Sequence, residues 1–455
     1  MRCWGTIAGF CLPFVLTFTQ VLAERPNFVL IVADDLGYGD VGCYGNAENK
    51  TPHIDALAAA GVRFTDFHSA GPMCTPTRAA MLTGQYQQRF GRKFDGPLSG
   101  LRDRDDGLPH EAVTIAEVLK QKGYATACFG KWHLGYQPPW LPPNQGFDEF
   151  RGLGSGDGDF HTHISRWGRG GGWRDNKIHM DEGYTTELLT RYSVDFIERH
   201  RDRPFFLYVP HLAIHFPWQG PKDPPHRRHG KDYTNDKWGI IPDPGNVRPH
   251  VRAMIESLDD SVGQIVAALK KWKLDGNTLL IFTSDNGGYL TYGRNFRNIS
   301  SNGPLRGQKG SVYEGGHRVP TIIRWTGRIN PTVTPETAHS TDLLPTLASL
   351  AGISPENVNS DGVDLKPLLL RHEALPERML FWRVHSRRAV RSGPWKLCIA
   401  GDDQPAELYN LDDDLGEQHN IASRHAQRVA QLSAAWSAWE SDVNESAKRL
   451  ERPTE

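Results

Sequence analysis

Cysteine is scarce in this chain of 455 residues: there are six, and two of them, Cys3 and Cys11, lie in an apolar leader. The remaining four, Cys43, Cys74, Cys128 and Cys398, are far apart and form no Cys-x-x-Cys pair. That spacing excludes a disulfide framework and a cysteine zinc site, so stability must come from a hydrophobic core. Excess charge is missing as well. Lys and Arg number 52 against 53 Asp and Glu, a net charge of −1, which argues against nucleic acid or an anionic membrane as the main partner. Past the leader, no apolar run approaches the ~20 residues that span a bilayer. Internal repeats and low-complexity tails are absent too.

What is present suits a soluble enzyme of two domains, or one large domain with an appendage. Hydrophobic residues make up 38% and charged residues 23%, ordinary values, while Gly 46 and Pro 31 imply long loops of the kind that build sites. Residues 1–23 read as a signal peptide: Arg2, an apolar core from Ile7 to Phe18, and Val21-Leu22-Ala23 before Glu24. The expected organisation is a leader over 1–23, a catalytic domain over 24–375 and a C-terminal subdomain over 376–455. Short antiparallel strands (Met379–His385, Arg388–Ser392, Trp395–Ala400, Leu408–Leu411) and a closing helix, Ser423–Val443, mark the last part.

Between them, four continuous apolar runs predict strands buried on both faces: Asn27–Ala33, Tyr124–Phe129, Phe205–Val209 and Thr278–Phe282. Each ends in polar residues, where open α/β sheets place their ligands. The first ends in Asp34-Asp35, the second in Lys131 and His133, the third in His211 and His215, the fourth in Asp285-Asn286. Oxygen donors without cysteine or histidine select Ca²⁺ or Mg²⁺ over zinc, so Asp34, Asp35, Asp285 and Asn286 are the candidate metal ligands. Helices are expected at Thr51–Gly61, Ala112–Lys120, Thr185–His200 and Val251–Lys273, and a strand at Val62–Phe67. The His161/His163 pair sits in a glycine- and tryptophan-rich stretch and reads as a substrate-side loop rather than a metal site.

Pro72-Met-Cys-Thr-Pro-Thr-Arg-Ala-Ala-Met-Leu-Thr-Gly84 stands apart. Pro76 and Thr77 suit a first helical turn, which puts Cys74 just before a helix N-terminus, a natural place for an anion, with Arg78 one turn in. The string C-T-P-T-R…T-G resembles the type I, formylglycine-dependent sulfatase signature. Gly130-Lys-Trp-His-Leu-Gly135, Lys309 upstream of Glu314-Gly-Gly-His-Arg-Val-Pro320, and the late segments A-V-R-S-G-P-W-K-L and E-L-Y-N-L-D-D-D resemble the same family in the same order.

The resemblance covers nearly the whole mature chain. It implies an alkaline-phosphatase-like α/β fold, a large mixed sheet between helices, with a smaller C-terminal antiparallel sheet and helix. It implies sulfate monoester hydrolysis, with Cys74 converted to Cα-formylglycine by a formylglycine-generating enzyme and its hydrate acting as nucleophile and metal ligand. Arg78, Lys131 and Lys309 would balance the substrate's charge, His133 would take the proton that expels sulfate, and His215 or Lys309 would protonate the leaving alcohol. Two alternatives share features of this reading: a phosphomonoesterase, phosphodiesterase or phosphonate hydrolase of the same superfamily, and an inactive exported glycan-binding protein. A carbohydrate sulfate is the expected substrate, as in arylsulfatase-like N-acetylgalactosamine-6-sulfate sulfatases. Trp140, Trp167, Trp173 and Trp218 are candidates to stack on sugar.

Overall fold

The computed structural model describes residues 25–179, 181–293 and 295–451, so the leader expected at 1–23 lies outside them. Ten strands form the main sheet. In chain order they are β1 (Asn27–Ala33), β2 (Val62–Phe64), β3 (Ala125–Lys131), β4 (Glu149–Leu153), β5 (Gly172–Arg174), β6 (Lys177–Ile178), β7 (Phe205–Pro210), β8 (Thr278–Ser284), β9 (Thr321–Arg324) and β10 (Thr332–Thr334). In space they run β10-β2-β9-β8-β1-β7-β3-β4-β5-β6. The central strands β8, β1, β7, β3 and β4 are mutually parallel, and β9 and β5 turn antiparallel at the two sides.

The four apolar runs are the heart of this sheet, and alternation explains why they are apolar throughout. In β1, Phe28, Leu30 and Val32 face a core shared with α2 (Cys74–Thr83), α3 (Ile115–Lys120) and α6 (Leu343–Leu350). Val29, Ile31 and Ala33 face a second core shared with α1 (Pro52–Ala59), α4 (Thr185–Arg199) and α5 (Arg248–Lys271). A strand covered on both faces has no position left for a polar side chain.

Among the boundaries that differ from the sequence expectation, three have a visible cause. α3 starts at Ile115 because Thr114 and Glu117 close a reciprocal capping box ahead of it. The strand expected at Val62–Phe67 breaks after Phe64 and resumes at Phe67–His68, because the Asp66 carboxylate between them is taken by Arg391. The last helix runs Ala426–Glu451, past the expected Val443, because its apolar stripe continues to Ala447.

The C-terminal part is a four-stranded antiparallel sheet: β11 (Met379–Val384), β12 (Arg387–Ser392), β13 (Trp395–Ile399) and β14 (Glu407–Asn410). The last helix covers one face through Leu432, Trp436, Trp439 and Val443. The other face, with Leu380, Trp382, Val384 and Cys398, packs on Met73 and Val312 of the main domain. Trp382 donates its indole N–H to the Ser69 carbonyl at 2.8 Å.

Beneath this contact lies a buried charge network. Lys396 bridges Glu314 at 2.8 Å and Glu417 at 2.9 Å, all three side chains fully buried. His68, Glu314 and His317 cluster closely enough to suggest a metal site. The Lys396 ammonium already sits there, 3.1 Å from His317 Nε2, and supplies the positive charge.

Burial opposes ionisation of Glu314, but Lys396 and then His68 outweigh it and hold the carboxyl well below its ordinary 4.5. Burial pushes Glu417 the other way. The Glu314 contribution is therefore complete above pH 4.5 and is lost as pH falls toward the depressed folded value. Lys396→Met should leave Glu417 without its cation and Glu314 with Arg318 as its nearest one, and cost about 3–5 kcal/mol. Urea midpoints measured across pH should show that loss at pH 7 and a shallower decline on acidification than in the wild type.

Candidate active site

The pairing of β1 with β8 assembles the acidic group. Ala33 lies opposite Ser284, so Asp34-Asp35 and Asp285-Asn286 leave the sheet side by side. Asp35 takes a positive φ of 65°, its N–H donates to Asp285 Oδ1 at 3.3 Å, and Asn286 Nδ2 donates to Asp35 Oδ1 at 2.9 Å. All four side chains are buried. Asp34 Oδ1, Asp35 Oδ2 and Asn286 Oδ1 have no hydrogen-bond partner. Unpartnered buried oxygens converging from two strand ends fit a hard divalent cation. The electrostatics agree: burial first, and then the Asp285 charge, push the Asp34 carboxyl well above its ordinary value.

Cations answer these acids one for one. Arg78, fully buried on α2, donates from Nε and a terminal nitrogen to Asp285 Oδ2 at 3.0 and 2.8 Å. Against the cost of burying Asp285, this fork and then Lys131 hold it ionised, below the ordinary range. Lys131 at the end of β3 pairs with Asp34, and Lys309 pairs with Asp35.

Cys74 is the first residue of α2, with Met73 as N-cap, one position further into the helix than its sequence suggests. Its Sγ lies 3.2 Å from His133 Nδ1. The other nitrogen, Nε2, is 3.0 Å from the Leu98 carbonyl, which can only accept. Nε2 therefore carries the hydrogen, and Nδ1 turns its lone pair on residue 74. Burial, then Lys131, lower the His133 pKa well below 6.5, so the ring is neutral. Burial, then the two lysines, do the same to His215, whose Nδ1–H donates to the Phe216 carbonyl at 2.7 Å, leaving Nε2 3.9 Å from Asp35.

Cys74, His133, His215 and Lys309 all line one cavity of about 290 Å³, walled by Tyr136, Trp167 and Tyr289. The sequence-predicted catalytic and metal residues thus converge at one place.

A family model described as sulfatase matches residues 26–353. Human arylsulfatase A is 37% identical over 449 residues, covering 88% of this chain and 84% of that protein. N-acetylgalactosamine-6-sulfatase of Canis lupus familiaris is 32% identical, covering 82% of this chain and 71% of its own length. The crystal structure of Ps i-CgsB in complex with k-i-k-neocarrahexaose superposes with a TM-score of 0.80 at 30% identity, covering 93% of this chain and 94% of that one. The chain belongs to the sulfatase family.

This sulfatase is a sulfuric ester hydrolase with the alkaline-phosphatase-like architecture, which places its chemistry at the carboxyl ends of the parallel strands. Several residues considered from the sequence fall elsewhere. His211 is buried against α5, its Nε2 3.3 Å from Ser261 Oγ, and takes no part in the site. His163 lines a separate small cavity, and His161 packs against Tyr184. Trp218 is 1% exposed and belongs to the core, so it cannot stack on a sugar. Trp140 packs over Gly107 and Gly135, while Trp167 does reach the cavity.

Residue type carries no signal for Leu98, whose carbonyl sets the His133 tautomer, or for Gly156. A Cβ at Gly156 would meet the His133 ring at 2.3 Å. Gly156→Ala should displace that ring and lower turnover about 100-fold, the cost typical of a misplacement near 1 Å. Steady-state kinetics beside a thermal melt will check this, with Tm expected to move little.

Proposed function

We propose that this sulfatase acts on a sulfated carbohydrate, using Cys74 oxidised after translation to Cα-formylglycine by a formylglycine-generating enzyme. One divalent cation, Ca²⁺ or Mg²⁺, would be held by Asp34, Asp35, Asp285, Asn286 and the modified residue 74. The observation that carries this reading is the His133 tautomer: a neutral ring with its lone pair 3.2 Å from the residue-74 side-chain atom. A base held there fits a residue that must give up a proton during turnover. The hydrated aldehyde supplies two hydroxyls, one to attack sulfur and one whose deprotonation releases sulfate. A cation bound there would supply Lewis-acid polarisation of the sulfuryl oxygens and would acidify the hydrate.

The other roles belong to the side chains around this cluster. Arg78 fixes Asp285 and so the ligand cluster, while His133 Nδ1 receives the proton that residue 74 releases. Lys131 and Lys309 are point charges suited to a tetrahedral anion. Lys309 and His215 both face the cavity where the leaving alcohol departs. The His215 Nδ1–H is spent on the Phe216 carbonyl, so its Nε2 offers a lone pair and no proton, whereas the Lys309 ammonium carries protons to give. We assign protonation of the leaving oxygen to Lys309.

Support for a carbohydrate comes from the aromatic walls of the cavity and from the similarity to an N-acetylgalactosamine-6-sulfatase and to a structure bound to a neocarrahexaose. Export after cleavage at Ala23 belongs to the same reading. Among the described residues, no helix is long and apolar enough to cross a membrane.

Cys74→Ser retains one hydroxyl and lacks the second. It should give at most one slow turnover and accumulate a serine sulfate, seen by intact-mass spectrometry as one added sulfonate group. Sustained sulfate release by this variant would overturn the formylglycine reading. Elemental analysis of the purified protein should find one Ca²⁺ or Mg²⁺ per chain, lost in Asp35→Ala. Stoichiometric zinc, or two metals, would favour phosphatase-type chemistry.

A further inference from the structure

A second cavity, of about 360 Å³, adjoins the catalytic one and shares Tyr136 and Trp167 with it. Those two rings meet edge to face at 6.3 Å and form the ridge between the cavities. They can close together because Gly100 lies against them: a Cβ there would meet Trp167 at 2.5 Å and Tyr136 at 2.9 Å. Beyond the ridge, Trp173 and Ile178 add apolar wall, Ile178 being 67% exposed, while Gly154, Gly170 and Gly171 leave bare backbone. An aromatic wall beside glycine backbone, of which the Gly171 N–H is already given to the His163 carbonyl, suits the apolar face of a sugar ring.

The rim is cationic in a chain whose net charge is only −1. Arg102 lines the catalytic cavity, and Arg104 and Arg169 line the second. All three are exposed, and among the described residues none has a carboxylate within ion-pair distance. Of the acids beside them, Asp103 accepts from the Ser99 N–H at 2.7 Å and Asp106 pairs with Lys93, while Asp105, exposed next to Arg104, lines neither cavity. Arg166 differs, being held by Asp157 at 3.1 Å beneath the ridge, so it is wall rather than free charge.

We propose that the second cavity is a subsite for the next sugar of an anionic oligosaccharide, with Arg104 and Arg169 receiving a second sulfate or a carboxylate on it. This rests on the sulfatase reading above and narrows it: the preferred substrate is a polyanionic saccharide chain rather than a small sulfate ester. The ester to be cleaved sits at residue 74, the following ring crosses the Tyr136–Trp167 ridge, and its anionic group meets the arginines. Trp173 supplies the apolar contact.

The test compares 4-nitrophenyl sulfate, which fills only the catalytic cavity, with hexasaccharides of chondroitin sulfate and of carrageenan. In the double variant Arg104→Ala/Arg169→Ala, the ratio of kcat/KM on the better hexasaccharide to that on the aryl ester should fall at least tenfold, mostly through KM. Trp167→Ala should lower it further. Binding of the same hexasaccharide to Cys74→Ala, followed by titration calorimetry, should weaken with added salt and lose most of that salt dependence when the two arginines are removed. An unchanged ratio with unchanged salt dependence overturns the second subsite while leaving the sulfatase reading intact. If the wild type cleaves neither class of ester, the reading of a carbohydrate sulfate as substrate fails, and binding to Cys74→Ala still decides whether the groove takes an anionic saccharide.

Discussion

One buried guanidinium holds the site together. Arg78 leaves the first turn of the helix that begins at Cys74, grips Asp285 at the end of β8 with two nitrogens, and donates a third bond to the Lys131 carbonyl at 2.7 Å. Three segments far apart in sequence are thereby fixed to one planar group. A buried pair of this kind contributes little net stability, because desolvation consumes most of the Coulomb gain. Its value is positional: the fork sets Asp285 relative to Cys74, and removing it would leave a carboxylate buried without its partner.

The C-terminal sheet acts on the same place from outside. It supplies none of the expected catalytic or metal residues, yet Trp382 holds the Ser69 carbonyl, and its face covers Met73, the N-cap of the Cys74 helix. Arg387 donates to the Gly310 carbonyl, and the Gly310 N–H donates to the Pro72 carbonyl at 2.8 Å. The loop before Cys74 and the loop carrying Lys309 are thus clamped to each other and to the appended sheet. Lys396 and its two glutamates lie below that clamp. A subdomain remote from the chemistry by sequence is a neighbour of it by packing.

This division explains what the sequence disclosed. Strands buried on both faces are conspicuous as unbroken apolar runs, and the polar residues that end them must lie at the sheet's edge, so Asp34, Asp35, Asp285 and Asn286 were readable as a set. Cys74, His133 and Lys309 were readable through their motifs. His215 was separable from His211 only by resemblance, since both follow β7. Burial of His211 against α5 depends on a helix packed more than 35 residues later in the chain. Leu98 acts through its carbonyl and Gly156 through its missing side chain, so neither shows in residue type. Trp218 misled for a related reason: a tryptophan in a loop-rich stretch looks the same in sequence whether it lines a cavity or fills the core.

The charges in the site point to what completes it. Three carboxylates, Asp34, Asp35 and Asp285, face three cations, Lys131, Lys309 and Arg78, each acid with its own partner. With both histidines neutral, the set sums to zero. A sulfate ester adds one negative charge in a place where water is largely excluded, and an uncompensated charge there is costly. The lysines can contact it, but with each charge matched by an aspartate they supply no positive excess. One divalent cation among the unpartnered oxygens of Asp34, Asp35 and Asn286 changes the sum from zero to +2, and the substrate brings it to +1. That positive excess is what a site needs if negative charge grows on the leaving oxygen as the S–O bond breaks. The lysine–aspartate pairs and the orphaned oxygens are therefore one arrangement: the protein's own charges balance without substrate, and a divalent cation would supply the excess that binds the anion.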